Sequence, residues 1–493
     1  MFYVVPAWYA QKDSEDLSGQ ISRPWYEPAR YLDDDMTGYL RLLQEHGQES
    51  QLILLSYLPQ LDQLLQEEAL YGLAYWSVFD VLQDTVDAPQ RFLSFRDLLW
   101  PERAEFVYTP FLVQVRLDNR LFARVEFAAA GNLLWIDYFN NDQLFKRLVY
   151  DARGFLSSQI TYQAGLPYCQ DYYNLAGSWQ FRQYLQDSSA KLVINPVHQD
   201  RFKATTYASI KELVVEKLTA YLTSLTAGQK FLVAAEARNL DLLQDWFSKH
   251  QVALSFWEDR LSQATLTQIK GSLTRAKLLL SNRPLTWKKL ENNQLPATNL
   301  LQAVGDKGTE FGKSQELAGV SLYLQLDGLD PETRTSLLKL LLAQAETYSG
   351  YDVILVSQEQ DARKREALKQ WLNDYFPDVS SRLQLRFPAS SFEQVSLLQQ
   401  ARLLIDLSPN PNLKLQAQGL NLGLPQIVAC ETPYVDHLKN AYIIHDLQEL
   451  PQALAHYLTR LDYWHQALAD MVMKQSQYQG LALIHQLKAE LDK

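Results

Sequence analysis

The chain has 493 residues, of which 47% are hydrophobic and 21% are charged, and its formal net charge is −11 at pH 7. This length exceeds what one hydrophobic core usually organises, so we expect two large domains. The negative charge argues against nonspecific binding of nucleic acid, which needs a dominant positive surface. The sequence shows no signal peptide and no apolar run long enough to span a membrane, and its two distant cysteines, Cys169 and Cys430, cannot form a disulfide framework. We therefore expect a cytoplasmic protein.

The first hundred residues alternate apolar runs with amphipathic segments. Phe2 to Trp8 predicts a buried strand, and Gln51 to Leu58 predicts a second one. Helices are predicted near Tyr39 to His46 and from Leu61 to about Tyr71. This alternation is typical of a parallel sheet with helices on its faces.

Four aromatic residues follow the first predicted strand, namely Trp8, Tyr9, Trp25 and Tyr26. Aromatic rings at the carboxyl end of a strand can form a platform on which a sugar ring stacks. The alternative is ordinary packing in a core or an interface, which the overall aromatic content of 12% favours. Both interpretations stay open at this point.

From about residue 106 to residue 185 the helical period disappears. Short aromatic segments with alternating polarity are separated by turn signals such as Asp118-Asn119, Gly131-Asn132 and Asn140-Asn141-Asp142. This pattern predicts an antiparallel β-meander inserted into the first domain. Such a sheet either packs on the first domain or exposes a face to a partner.

The α/β pattern is predicted to resume after the insert. We expect the first domain to comprise residues 1–105 and 186–300, with the meander at 106–185. A polar stretch from Lys288 to Glu316 is the best linker candidate. The predicted elements before it are strands Lys191 to Val197, Lys230 to Ala235, Val252 to Trp257 and Lys277 to Leu280, and helices near Thr205 to Leu225 and Leu240 to Lys249.

A second α/β domain is predicted over residues 317–460, followed by a helical segment at 461–493. Asp330-Pro331-Glu332 is a strong helix start, because Asp caps a helix and Pro suits its first turn. The predicted strands are Leu322 to Leu326, Tyr351 to Ser357, Leu383 to Phe387, Ala401 to Leu407, Pro425 to Ala429 and Tyr442 to Ile444.

The stretch from Ala401 to Ala429 predicts a strand, a helix and a second parallel strand, which form a right-handed crossover. Leu413, Ala417 and Leu420 share one stripe of the helix, and Gly423 is expected to end it. Ligands of such sheets lie at the carboxyl ends of strands. This rule makes Ser408, Asn410, Lys414 and Gln416 candidate site residues.

Other candidates follow two strands of the first domain. His198 and Asp200 come after one predicted strand, and Glu236 and Arg238 come after the next, so all four are candidates for the domain's side of a cleft. His198 suits a general base chemically, whereas a solvated loop is the alternative interpretation and the favoured one. His437 has no partner at a metal-ligand spacing, and we predict no metal.

Segments of the second domain resemble the retaining GT-B glycosyltransferases. They are LDGLDPE at Leu326 to Glu332, YDVILVS at Tyr351 to Ser357, ARLLIDLSP at Ala401 to Pro409 and LGLPQIVA at Leu422 to Ala429. The resemblance implies an α/β fold of the GT-B type, in which two Rossmann-like doubly wound domains face a cleft.

The chain departs from active GT-B enzymes at the positions that hold the sugar nucleotide. An acidic pair of those enzymes matches Ser408 and Gln416 here, and their Arg and Lys that clamp the diphosphate match Gly328 and Thr333, with Arg334 as the only basic substitute nearby. Losing these groups removes several charge-assisted hydrogen bonds, each worth roughly 1.5–3 kcal/mol. We therefore expect a lapsed donor site, no cofactor and no enzymatic activity.

The whole chain, including the opening FYVVPAWY and the aromatic insert, resembles the glycosyltransferase-like accessory secretory proteins of the accessory Sec system in Gram-positive bacteria. The resemblance implies a cytoplasmic protein recruited to the inner face of the membrane through the export machinery. It implies as partners two other accessory secretory proteins, a motor ATPase with its channel, and a glycosylated serine-rich repeat adhesin. Weak binding of glycan in the cleft, at Trp8, Tyr9, His198 and Glu236 and at the second-domain candidates, is part of this hypothesis.

Two alternatives stay open from the sequence. The first is an active glycosyltransferase with unusual site chemistry that modifies the same adhesin. The second is a stand-alone carbohydrate-binding protein with no stable protein partner.

Overall fold

The computed structural model describes most of the chain. The described residues form two six-stranded sheets with parallel pairing and one ten-stranded antiparallel sheet, which confirms the predicted mixed α/β fold class. Most of the predicted linker, Lys288 to Glu316, lies outside them. The described ranges are 1–10, 16–19, 23–27, 34–186, 192–257, 260, 271, 273–281, 290, 310–316, 319–348, 350–377, 382–478 and 480–493.

By its internal contacts the chain divides into two compact units. The first comprises residues 1–28 and 43–252, and the second comprises residues 29–42 and 253–493. The domain boundaries given above stay predictions.

The first elements in the chain confirm the alternation of strands and helices. The buried run at the start forms a strand that is shorter than predicted, because Pro6 has no N–H for a sheet. The described elements up to residue 83 are β1 (Phe2–Val5), α1 (Asp35–Glu45), β2 (Ser50–Leu54), α2 (Leu61–Glu67), β3 (Tyr75–Ser77) and α3 (Val78–Gln83).

The antiparallel sheet is a meander in which each strand pairs with its neighbour in sequence. Residues of two predicted turns, Asp118-Asn119 and Asn141-Asp142, have positive φ angles, which Asn and Asp tolerate in tight hairpins. The strands are β4 (Glu105–Tyr108), β5 (Val113–Leu117), β6 (Arg120–Phe127), β7 (Leu133–Asn140), β8 (Gln143–Asp151), β9 (Phe155–Gln163), β10 (Leu166–Tyr173), β11 (Trp179–Tyr184), β12 (Leu192–Ile194) and β13 (Thr206–Tyr207).

One predicted strand belongs to a different sheet from the one that was expected. The run Lys191 to Val197 was expected to resume the parallel sheet, but its core, β12, pairs antiparallel with β11 through Phe181 and Ile194. The predicted helix from Thr205 also begins later, because Thr206 pairs with β12. A strand of three residues carries no period that could identify its sheet, so its pairing is decided by tertiary contacts.

The parallel sheet of the first Rossmann-like fold is completed after the meander. Its order is β16-β15-β14-β1-β2-β3, and β1 pairs in parallel with both β14 and β2. This is the doubly wound order, whose switch point lies between β1 and β14. The elements concerned are α4 (Ile210–Ser224), β14 (Lys230–Ala234), α5 (Ala237–Leu243), β15 (Gln251–Phe256) and β16 (Leu278–Ser281).

The second parallel sheet repeats this order as β19-β18-β17-β20-β21-β22, with its switch point between β17 and β20. Asp330 caps its first helix through the N–H groups of Glu332 and Thr333, as predicted. The elements are β17 (Ser321–Gln325), α6 (Pro331–Ala345), β18 (Asp352–Val356), α7 (Ala362–Tyr375), β19 (Leu383–Arg386), α8 (Ser391–Gln399), β20 (Leu403–Asp406), α9 (Leu413–Leu422), β21 (Gln426–Val428) and β22 (Ala441–Ile443).

The predicted crossover helix, α9, ends at Gly423 with a φ of +71°. Its predicted stripe of Leu413, Ala417 and Leu420 lies in the main core of the second sheet. Leu415 and Leu422 pack in a second cluster, so α9 is buried on more than the one predicted face. The segment after β22 is helical as predicted, and its helices are α10 (Leu450–Leu458), α11 (Leu461–Tyr478) and α12 (Gly480–Leu491).

The turn between β8 and β9 connects the meander by polar contacts to elements of the first Rossmann-like fold. Arg153 makes bidentate ion pairs with Asp151 of the same turn and with Asp80 of α3, with its nearest nitrogens 2.8 Å from each carboxylate. The N–H of Ala152 donates to the carbonyl of Pro59 at 2.9 Å. All three charged side chains are nearly buried. Polar contacts thus fix the position of the insert within the first unit.

Candidate functional site

The switch point of the first sheet brings together three of the predicted residues, Trp8, Tyr9 and Glu236. Trp8 is 1% exposed and Tyr9 is 3% exposed. The guanidinium of Arg238 covers the ring of Tyr9 at 3.9 Å from its centroid. Neither ring therefore offers a face to a sugar, and packing accounts for both.

Polar groups around Tyr9 satisfy one another. Its hydroxyl donates to Oδ1 of Asn239 at 2.7 Å, and burial raises the pKa of Tyr9 well above its ordinary value. Glu236 caps α5 through the N–H groups of Arg238 and Asn239, and its carboxylate also pairs with Arg238 at 2.9 Å. These bonds engage the carboxylate of Glu236 within the fold. A general base needs an oxygen that can accept a proton from a substrate, so this arrangement does not suit that role.

His198 does not follow a strand of the parallel sheet, contrary to the prediction. It lies in a 3₁₀ turn, Pro196–Arg201, after β12 of the meander. Its Nε2 is 2.8 Å from the hydroxyl of Ser178 in the turn before β11. The prediction failed because β12 belongs to the antiparallel sheet, so its end is not an end of the parallel one.

In the second sheet, the loops after β17 and β20 touch each other. Gly328 has a φ of +81°, and a Cβ atom placed on it would lie 2.3 Å from the hydroxyl oxygen of Ser408. Ser408 is 4% exposed, and its hydroxyl accepts the N–H of Asn410 at 3.2 Å. The two positions that match donor-binding residues of GT-B enzymes therefore approach each other closely at the switch point.

An acidic side chain lies beside this contact. Asp327 accepts hydrogen bonds from the hydroxyl of Ser357 at 2.6 Å, the N–H of Gln358 at 2.7 Å and the amide of Gln325 at 2.8 Å. A carboxylate at the switch point repels a phosphate, which parallel folds of this order usually bind there. Asp327 was not among the predicted site residues, although its place near the end of β17 is a signal that the sequence contains.

Gln416 is fully buried within the second unit. Its Oε1 accepts the hydroxyl of Thr432 at 2.6 Å, and its carbonyl accepts the amide of Gln426 at 2.8 Å. Its Nε2 has no hydrogen-bond partner among the described residues. The side chain thus reaches Thr432 rather than a ligand.

The start of α9 is also satisfied internally. Asn412 accepts the N–H groups of Lys414 and Leu415, which are the groups that would otherwise bind a phosphate. The ammonium of Lys414 lies 6.0 Å from the centroid of the Trp257 ring. Asn410 is half-buried in the preceding loop. The first turn of α9 is therefore capped by its own chain, and the cation beside it faces an aromatic ring.

The basic substitute Arg334 packs against α7. Its guanidinium lies 4.7 Å from the centroid of the Trp371 ring, and burial lowers the pKa of Arg334. Trp371 in turn donates its indole N–H to Thr335 at 2.9 Å. The arginine is thus engaged in packing at this position.

The part of the chain that the structure describes contains no group of three His, Cys, Asp or Glu side chains that could hold a metal ion. None of the helices in that part is long and apolar enough to cross a membrane.

Comparisons with known proteins agree on one family. The family model for accessory secretory protein 1 of the accessory Sec system matches residues 1–379 and 373–493. The protein of the same description from Streptococcus gordonii is 30% identical over 509 residues, which cover 96% of this chain and 95% of the relative.

The solved structures similar to this chain include members of the same family and more distant proteins that share its fold. Accessory secretory protein structures from Streptococcus pneumoniae, solved with proteins 1, 2 and 3 together, include a chain with 29% identity and a TM-score of 0.82, over 100% of this chain and 99% of that one. The pneumococcal O-GlcNAc transferase GtfA, solved with UDP and GlcNAc, has 12% identity and a TM-score of 0.68, over 100% and 98% of the two chains. The latter similarity shows a GT-B fold and nothing about activity.

Proposed function

The chain belongs to the family of accessory secretory protein 1 of the accessory Sec system, and from this premise we propose that it acts without catalysis, in a complex with two other accessory secretory proteins. The complex serves the export of serine-rich repeat glycoprotein adhesins through a dedicated motor ATPase and channel, from the cytoplasmic side. The family membership confirms the resemblance found in the sequence. The solved relative from S. pneumoniae was crystallised with two such proteins, which supports the proposed partners.

The observation that best supports the proposal is the set of residues found at the switch point of the second sheet. Gly328 and Ser408 are in contact, the carboxylate of Asp327 lies beside them, and Gln416 is buried against Thr432. A nucleotide diphosphate would need a cavity and positive charge at this place. Gly328 and Ser408 bring no charge and Asp327 brings a negative one, which supports the absence of glycosyl transfer.

We expect the purified chain not to bind UDP at concentrations up to about 1 mM, a limit that corresponds to roughly −4 kcal/mol. Isothermal titration measures this, and the pneumococcal O-GlcNAc transferase, whose structure contains UDP, is the positive control. Saturable binding at micromolar UDP would contradict the proposal. Hydrolysis of a sugar nucleotide that is lost in the Gln416→Ala variant would establish the alternative, an active glycosyltransferase.

We expect the chain, expressed with the two other accessory secretory proteins of its own organism, to purify with both of them at a fixed ratio. Size-exclusion chromatography with light scattering measures the composition of the complex. Elution of the chain alone under all salt conditions would contradict the proposal. It would favour the second alternative, a stand-alone carbohydrate-binding protein, for which the buried rings of Trp8 and Tyr9 give no support.

A further inference from the structure

Three aromatic side chains form an exposed cluster on the antiparallel sheet of the first unit. Trp25 is 50% exposed, Tyr26 is 38% exposed and Phe111 is 55% exposed. The ring of Tyr26 meets that of Phe111 edge-on at 5.2 Å and that of Trp25 edge-on at 6.1 Å between centroids. We call these three residues the aromatic patch. Aromatic side chains that remain exposed as a group are typical of protein interfaces.

Hydrogen bonds hold Trp25 of the patch in place although its ring is exposed. The backbone N–H of Trp25 donates to the carbonyl of Phe127, and its indole N–H donates to the carbonyl of Phe111, both at 2.9 Å. The only polar atom of the indole is thus satisfied within the chain, while half of the side chain faces solvent. A preorganised ring loses little conformational entropy when a partner covers it, which is the property of an interface anchor.

A buried carboxylate lies beneath the patch. Glu126 of β6 is 6% exposed, and its Oε1 accepts the hydroxyl of Tyr26 at 3.4 Å. Its other oxygen, Oε2, is buried and has no hydrogen-bond donor among the described residues. Burial raises the pKa of Glu126. A desolvated carboxylate oxygen without a donor is costly, and a positive charge that a partner brings close to it would offset part of that cost.

The two arginines near Glu126 attract its carboxylate, but their closest contacts are with other side chains. Arg147 makes a bidentate ion pair with Asp137 at 2.6 and 2.9 Å, and its guanidinium lies over the ring of Trp135. Arg124 lies over the ring of Phe139 at 5.0 Å from its centroid. Neither donates a hydrogen bond to Oε2 of Glu126.

We propose that the aromatic patch and Glu126 form a docking site for a lysine or arginine side chain of a partner protein. The cation would contact the aromatic faces and be attracted by the negative charge of Glu126 beneath them, two interactions that strengthen as the site is covered and water is excluded. The net charge of −11 favours a partner with a basic contact surface. The inference rests on the proposed function, because the partner is taken to be one of the accessory secretory proteins.

The test measures the affinity of the full chain for the two other accessory secretory proteins, purified together, by biolayer interferometry. We expect Phe111→Ala and Glu126→Gln each to weaken binding about tenfold. The control is Phe92→Ala, which removes a ring that is 87% exposed and lies outside the patch. It is expected to bind like the unaltered chain. Thermal melting of each variant checks that the fold is retained.

The dependence on salt separates a charge pair from apolar contact. The affinity of the unaltered chain is expected to fall more steeply with salt than that of Glu126→Gln, because only the former retains the ion pair. As a direct probe, benzoylphenylalanine placed at position 111 is expected to crosslink to a partner peptide that contains lysine or arginine. This probe does not depend on the stability of the Glu126 variant.

The outcomes distinguish the two proposals. Unchanged affinity of both patch variants, in a chain that still forms the complex, overturns the docking site and leaves the proposed function intact. A crosslink to a peptide without a basic residue, to lipid or to a second copy of this chain also overturns the docking site. If the unaltered chain binds neither partner, the proposed function fails, and the docking site fails with it.

Discussion

Replacing Arg153 with methionine is expected to lower the free energy of unfolding of the first unit by about 3–5 kcal/mol, because a buried ion pair is broken on one side only. Methionine preserves most of the apolar volume of the side chain, but it leaves the carboxylates of Asp80 and Asp151 buried without their cation. The loss should be concentrated where the meander is attached. Hydrogen exchange of β8 and β9 measures it directly, and the drop in melting temperature measures it globally.

The matched control for this substitution is Arg103→Met. Arg103 pairs with Asp118 at 3.2 Å, but both side chains are largely exposed, so the expected effect is about 0–1 kcal/mol. A second test adds Asp80→Asn and Asp151→Asn to Arg153→Met, which removes the uncompensated charges and should restore part of the stability. Equal melting of Arg153→Met and Arg103→Met would refute the role of Arg153.

The effect of Arg153→Met should also depend on pH. Burial raises the pKa of Asp151 to about 6 in the folded chain, above the ordinary value of 3.8, and it raises the pKa of Asp80 as well. A carboxyl group with a raised pKa favours the folded state when protonated, so its contribution to stability falls as the pH rises from about 4 to about 6. Without Arg153 both pKa values rise further, and the fall extends to higher pH. The deficit of the variant should therefore be larger at pH 8 than at pH 5.

Replacing Gly154 with alanine is expected to destabilise the same attachment by roughly 2–5 kcal/mol. The φ angle of Gly154 is +85°, which costs an L residue roughly 1–2 kcal/mol, and the added Cβ would lie 2.0 Å from the carbonyl oxygen of Arg91. The oxygen belongs to the backbone, and the N–H of Arg91 is bonded to the carbonyl of Arg153, so neither side yields easily. Thermal unfolding and hydrogen exchange are the measurements.

Gly131→Ala is the matched control, because Gly131 has a φ of +82° but no atom within 4 Å of the added Cβ. Only the backbone term, about 1–2 kcal/mol, is expected there. A similar loss of unfolding free energy at both glycines would mean that the backbone at Arg91 moves away from the added Cβ. It would contradict a rigid contact between Gly154 and Arg91. A much larger cost at Gly154 would support it.

The sequence predicts local elements well where one pattern determines them. The stripe of Leu413, Ala417 and Leu420 and the glycine at 423 define α9, and Asp330-Pro331 defines the start of α6. These features depend on side-chain period and capping, which are properties of neighbouring residues. The doubly wound order of each sheet followed from the family resemblance.

Features that depend on distant pairing could not be predicted in the same way. His198 was placed at the wrong sheet because β12 pairs with β11, a contact that no residue of β12 encodes by itself. The bond between Gln416 and Thr432 joins residues on two elements, and its geometry appears only once both are folded. Glu126 and Phe111 were not singled out, since a glutamate and a phenylalanine in an alternating strand pattern look like ordinary members of a meander.

The central place of β1 has a consequence for the synthesis of the chain. β1 pairs with β2 on one side and with β14 on the other, so one edge of Phe2–Val5 waits for residues 230–234 to be made. At about 5–20 residues per second this takes roughly 10–45 s. The hairpins of the meander close between neighbouring strands and need no such wait. During translation the insert can thus form first, while a four-residue apolar strand near the start remains available to chaperones or to the wrong partner.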